Sequence, residues 1–188
     1  MSSTLRATLM VVSLLAPVVA QAEPLNDLFS ATCIAGNGQM AAVEATLRSR
    51  GLGPLDAAVA DTFLHGKAGQ AWAVPMTGGG GAVAVTEEGL CMVFAQRADV
   101  AAVEKTLAGL VASLPAAANP RRVESPSSTN AVMRSQSWAI TPPAAPESSI
   151  LITLSMATSD AAPLQAMISR AQVATAELRG LQPSAADN

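Results

Sequence analysis

The spacing of hydrophobic and polar positions along the chain changes from helical to alternating and back again. Leu25, Leu28, Phe29 and Cys33 fall at i, i+3, i+4 and i+8, one stripe of a short helix that stops at Gly36-Asn37-Gly38. A second helix is predicted over 39–50, with Met40, Val43 and Leu47 inward, Glu44 and Arg48 paired outside, and Gly51 where a C-terminal cap belongs. From 52 to 69 the pattern is poor and predicts a loop with one helical turn near 55–63. Alternation then predicts strands over 71–74, 82–86 and 90–96. A flexible hairpin loop, Thr77 to Gly81, joins the first two, and the turn Glu87-Glu88-Gly89 joins the next. In the third strand Leu90, Met92 and Phe94 share one face and Cys91, Val93 and Ala95 the other, the mark of a central strand covered on both sides. Asp99 is placed to cap an amphipathic helix carrying Val100, Val103, Leu107, Leu110, Val111 and Leu114. Residues 115–130, rich in Pro, Ala and Ser, read as a linker-like loop. Strands resume over 132–140 and 150–157. A last helix is predicted over 163–179, with Leu164, Met167, Ile168, Ala171, Ala174 and Leu178 as its stripe.

These elements predict an α+β domain: an antiparallel sheet of about five short strands with helices packed on it. Gln70-Ala71-Trp72-Ala73-Val74-Pro75 matches Gln136-Ser137-Trp138-Ala139-Ile140-Thr141-Pro142 with one inserted Thr. The match reads either as a duplicated strand-strand-helix unit, with the two Trp as equivalent anchors in the sheet, or as coincidence in an Ala-rich chain.

The first 22 residues have the layout of a secretory signal: Arg6 as the basic n-region, an apolar stretch ending near Val19, and Ala20-Gln21-Ala22 as an A-x-A cleavage site. The stretch is shorter than the roughly 20 residues that a spanning helix needs. Pro17 would break it near the cleavage site. Cleavage after Ala22 is the expectation, with 23–181 a single domain and 182–188 a disordered tail. A lipidated cysteine is not expected, because Cys33 lies well downstream of the apolar stretch with Ser30 three positions before it. The protein is therefore expected in the periplasm or the external medium, with no transmembrane helix in the mature chain.

Export changes how the two cysteines read. Cys33 and Cys91 in an oxidising compartment most simply pair, tying the first helix to the central strand. A thiol nucleophile or a metal ligand is the alternative, but the chain has no C-x-x-C and only one His. Without Arg6, 10 basic residues face 14 acidic ones, a formal charge of −4. That balance gives no footprint for nucleic acid. With no Tyr, three Phe and two Trp, the chain also lacks the aromatic platforms that stack sugars and bases.

Candidate chemistry is sparse. His65 is the only residue whose ordinary pKa suits general-base work near neutrality, with Asp56 and Asp61 the nearest acids. No G-x-S-x-G elbow accompanies it, and a solvated loop histidine is the plainer reading. Gly78 to Gly81 lack the following Lys-Ser/Thr of a phosphate loop and lead into a strand. Glu87-Glu88 read as a solvated turn, and Arg121-Arg122 as a solvated linker with a weak claim on an anionic lipid or polymer. Met92, Met133, Met156 and Met167 are spread one per element, as core fillers are, and not clustered as a copper site would need. No metal or other cofactor is called for.

With Phe29-x-x-x-Cys33 early, Cys91-Met-Val-Phe94 on a strand and Asp99 opening the next helix, the chain resembles small exported proteobacterial proteins of unknown function. The resemblance implies a disulfide-linked helix-to-sheet core and carries over no activity and no catalytic residue. The expectation is a non-enzymatic accessory or binding protein of the bacterial envelope, its partner an envelope protein or ligand. The alternatives are a small exported hydrolase using His65 and a secreted inhibitor or effector.

Overall fold

The alternating segments close into one antiparallel sheet in the computed structural model, which describes residues 24–123 and 132–180. Its strands are β1 (Gly69–Met76), β2 (Gly79–Thr86), β3 (Cys91–Ala95), β4 (Arg121–Val123), β5 (Met133–Ile140), β6 (Ser148–Ala157) and β7 (Ala166–Ala174). They lie in the order β1-β2-β3-β7-β6-β5-β4. Two meanders, β1-β2-β3 and β5-β6-β7, thus meet where β3 pairs with β7. The helices are α1 (Leu25–Phe29), continuing into a π-helical turn (Ser30–Ile34), α2 (Met40–Ser49), α3 (Ala57–Leu64) and α4 (Val100–Ala112). The expected signal segment 1–22 and tail 182–188 lie outside the described residues. No helix among the described residues is long and apolar enough to cross a membrane.

Seven strands replace the expected five, and β7 is the main correction. Apolar residues at 164, 167, 168, 171, 174 and 178 fit a helical stripe, yet 166–174 is hydrogen-bonded to β3 on one side and β6 on the other. Two full ladders outweigh a local propensity that is worth only tenths of a kcal/mol per residue. The second half of the chain therefore ends in a strand where a duplicated strand-strand-helix unit would need a helix. Strand β4 lies inside the expected linker: Val123 is buried against Ala139 and Leu178, which recruits the segment to the sheet edge. Smaller differences follow the same logic. Helix α3 is a full eight residues where one turn was predicted, because Ala60 and Leu64 pack on Ala71, Ala82 and Phe94.

The glycine loop is tighter than expected. Gly79 to Gly81 belong to β2, leaving a two-residue turn, Thr77-Gly78, with Gly78 at φ 85°. Gly81 is required there for space, since a Cβ would overlap Met76 Sδ and the backbone oxygen of Phe94.

The main core lies between the sheet and the layer formed by α1, its π turn, α2 and α4. Trp72, Val83, Val93, Ile168, Leu154 and Trp138 point into it from six strands. The two matching Trp segments occupy corresponding places, Trp72 in β1 opposite Val83 and Trp138 in β5 opposite Ile152. On the other sheet face, α3 covers only the β1-β2-β3 half. The β5-β6 half carries hydroxyl pairs there, Ser135 with Ser155 and Ser137 with Thr153, each at 2.9 Å.

Candidate anion-binding site

Cys33 and Cys91 form the expected disulfide, with Cα atoms 5.5 Å apart and both residues fully buried. Cys33 sits in the π turn and Cys91 opens β3, so the bond fixes the end of the first helix against the sheet centre. Directly opposite Cys91 in the β3-β7 ladder stands Arg170. The chain leaving the π turn passes over that arginine: Gly38 N donates to Cys33 O at 3.1 Å, and Asn37 and Gly38 are both left-handed, at φ 51° and 69°.

Arg170 is the unusual residue of this fold. It points into the helix-covered face of the sheet and is 3 % exposed. Its Nη2 donates to Asn37 Oδ1 at 2.5 Å, and no carboxylate among the described residues forms an ion pair with it. Burial lowers its pKa below the usual arginine range, with no compensating acid. A guanidinium nevertheless stays protonated at any physiological pH. A desolvated cation without a counter-ion carries a penalty of several kcal/mol in ordinary cores. Glycine at 38 is what allows the approach, since a Cβ there would lie 2.5 Å from an Arg170 Nη atom and 2.7 Å from Gly89 O.

Arg170 lines a cavity of about 330 Å3 together with Asn37, Gly38, Gln39, Met40, the Thr86 to Gly89 turn and Gln172. Helix α2 begins at this cavity. Its N-cap residue, Gln39, makes no side-chain capping bond, and no acidic residue lies in its first turn. The positive end of the helix dipole therefore lies at the same cavity as the guanidinium. Two independent sources of positive potential converge, which is how proteins hold carboxylates and phosphates. The rim is acidic. Glu88 is bonded to Lys67 at 2.7 Å, whereas Glu87 is exposed and makes no ion pair among the described residues. Gln172 Nε2 is engaged by Ser148 Oγ at 2.8 Å.

The other sequence candidates are not brought to this place. His65 ends α3 in the left-handed conformation (φ 51°) and is exposed. Asp61 caps the same helix end, accepting from Gly66 N at 2.8 Å. Among the described residues no hydroxyl is hydrogen-bonded to the His65 ring, and its backbone role as helix terminator accounts for its position. Arg121 and Arg122 stand in β4 and not in a solvated linker. They line a larger cavity, about 680 Å3, under α4 with Lys105, Glu104 and Trp138. Glu104 accepts from Arg134 at 3.0 Å in that region, and Arg121 Nη2 reaches Leu178 O at 3.5 Å. Met92 and Met156 are buried in the two core layers.

Sequence reasoning missed Arg170 because it placed the residue on the outer side of a helix. The turn Glu87-Glu88 reads as solvated, and nothing in the sequence links it to Arg170. The signal present in the sequence is a single Arg flanked at i−2 and i+2 by Ile168 and Gln172, with no acid within four residues of it. No family model matches this chain, and no similar curated protein or solved structure was found.

Proposed function

We propose that this chain is a non-enzymatic binding protein of an extracytoplasmic compartment, and that its site is the Arg170 cavity with a small anion as ligand. The observation that carries the reading is a guanidinium buried with no counter-ion among the described residues, at a cavity that the start of α2 also lines. A bound anion supplies the missing charge, so the desolvation cost of Arg170 becomes part of ligand recognition. Export is supported by the signal-like layout of residues 1–22, by the Cys33–Cys91 bond, and by the likeness of Phe29-x-x-x-Cys33 and Cys91-Met-Val-Phe94 to small exported proteobacterial proteins.

Two measurements test the two halves. Protein recovered from the producing cell begins at Glu23 and fractionates outside the cytoplasm; an intact N-terminus on cytoplasmic protein refutes export. Titration with acetate and with inorganic phosphate, followed by the Arg170 Nε–H and Gly38 amide resonances, gives saturable shifts, and in Arg170→Gln the Gly38 amide no longer responds. If neither anion perturbs that resonance at millimolar concentration, the binding reading fails.

A further inference from the structure

Resting on that reading, we infer that the ligand is a zwitterion, an α-amino acid or short peptide whose carboxylate meets Arg170 and whose cationic group meets Glu87. A site for a plain anion gains nothing from acids at its rim, because like charges lower its affinity. Here two carboxylates, Glu87 and Glu88, border the same cavity as the buried guanidinium. They are not equivalent. Glu88 is occupied by Lys67 at 2.7 Å, leaving Glu87 as the rim acid with no ion pair among the described residues.

The vertical order of charge is fixed by burial: Arg170 is 3 % exposed and Glu87 is exposed. Positive potential lies deep and negative potential lies at the mouth. A ligand entering this gradient turns its carboxylate inward and its ammonium outward. Between the two charges the walls are amide-rich, with the side chains of Asn37, Gln39 and Gln172 and the backbone of Gly38 and Gly89. Such groups pair with a peptide unit through both its N–H and its C=O. The cavity volume of about 330 Å3 stands at the small end of ligand sites, which suits one or two residues and not a folded partner. The turn that carries Glu87 is held in place by a bond from Glu87 N to Ala68 O at 2.9 Å and by Thr86 N to Leu90 O at 2.9 Å. The rim charge is therefore presented on a fixed backbone, which favours recognition of a cation at a set distance from the carboxylate.

The experiment is a titration of the disulfide-bonded protein with four probes: acetate, n-butylamine, L-lysine and L-alanyl-L-lysine. Backbone and Arg170 side-chain resonances are followed by NMR. The zwitterions bind at least tenfold more tightly than acetate and shift Gly38, Gly89 and Glu87 amides along with Arg170 Nε–H. Comparing L-lysine with the dipeptide separates an amino-acid site from a peptide site. Glu87→Gln, an exposed substitution that leaves the fold intact, brings zwitterion affinity down to that of acetate and leaves acetate equal or tighter. Equal affinity for acetate and both zwitterions, or no effect of Glu87→Gln, overturns the inference while the anion reading stands. Absence of any shift with all carboxylate probes removes the anion reading, and the inference with it.

Discussion

Breaking the Cys33–Cys91 bond is expected to cost about 4 kcal/mol. The bond joins residues 58 apart in sequence, and closing a loop of that length in the unfolded chain corresponds to roughly 4 kcal/mol at 25 °C on the chain-entropy account. Both residues are fully buried, so reduced thiols keep the same apolar surroundings and the folded state loses little else. For a domain of this size each kcal/mol moves the melting point by about 2–4 °C, which places the reduced protein some 8–16 °C lower. Because the bond is sealed from solvent, reductant acts only through opening. The clean comparison is oxidised protein against protein unfolded in urea with reductant and refolded under it. Urea titrations of the two forms give the difference directly, and the Cys33→Ala/Cys91→Ala variant must be indifferent to reductant. A difference under about 1 kcal/mol would refute the reasoning, by showing that the unfolded chain is already compact between these positions.

Three further outcomes follow from named contacts. Gly81→Ala forces a methyl against Met76 Sδ and the Phe94 carbonyl in a paired strand, and is expected to cost about 1–3 kcal/mol in urea unfolding; an unchanged midpoint would mean that β1 shifts freely. Asp99→Ala removes the capping bond from Ala102 N at 3.0 Å and should cost about 1 kcal/mol, whereas Asp99→Asn should cost a few tenths. Arg170→Met replaces an uncompensated buried cation by an apolar chain of similar reach. Without ligand it should leave stability unchanged or raise it by up to about 2 kcal/mol, and a loss above about 3 kcal/mol would make Arg170 a structural tie to Asn37 instead of a ligand group.

Local patterns in the sequence were a good guide wherever a segment keeps one hydrophobic period throughout. The stripe Leu25, Leu28, Phe29, Cys33, the alternation around Cys91 to Ala95 and the Asp99 cap all lie where the periodicity puts them. Elements whose existence depends on distant partners were not legible. Strand β4 has three residues and is defined by pairing with β5, and α3 depends on the small side chains Ala71, Ala82 and Ala84 that make room for it. Strand β7 was hidden for a different reason. Its buried positions, Ala166, Ile168 and Arg170, include a charge, and a charge on the core side destroys the alternation that would announce a strand. The same side chain that concealed the element is the one that makes the cavity chemically interesting. Departures from the local rules tend to fall where function imposes a cost.

If Arg170 receives the anion proposed above, the covalent link also couples redox state to occupancy. Cys33 ends the first helical segment, and the loop that roofs Arg170 and starts α2 hangs from it. With the thiols reduced, that roof is held by noncovalent contacts alone, and the geometry that the proposed site needs around Arg170 is less constrained. Linkage makes the effect reciprocal: whatever the bond contributes to ligand affinity, a bound ligand contributes to the bond's resistance to reduction. A chain still in reducing surroundings would thus be blind to its ligand, and a chain that has captured one would be slow to give up its disulfide.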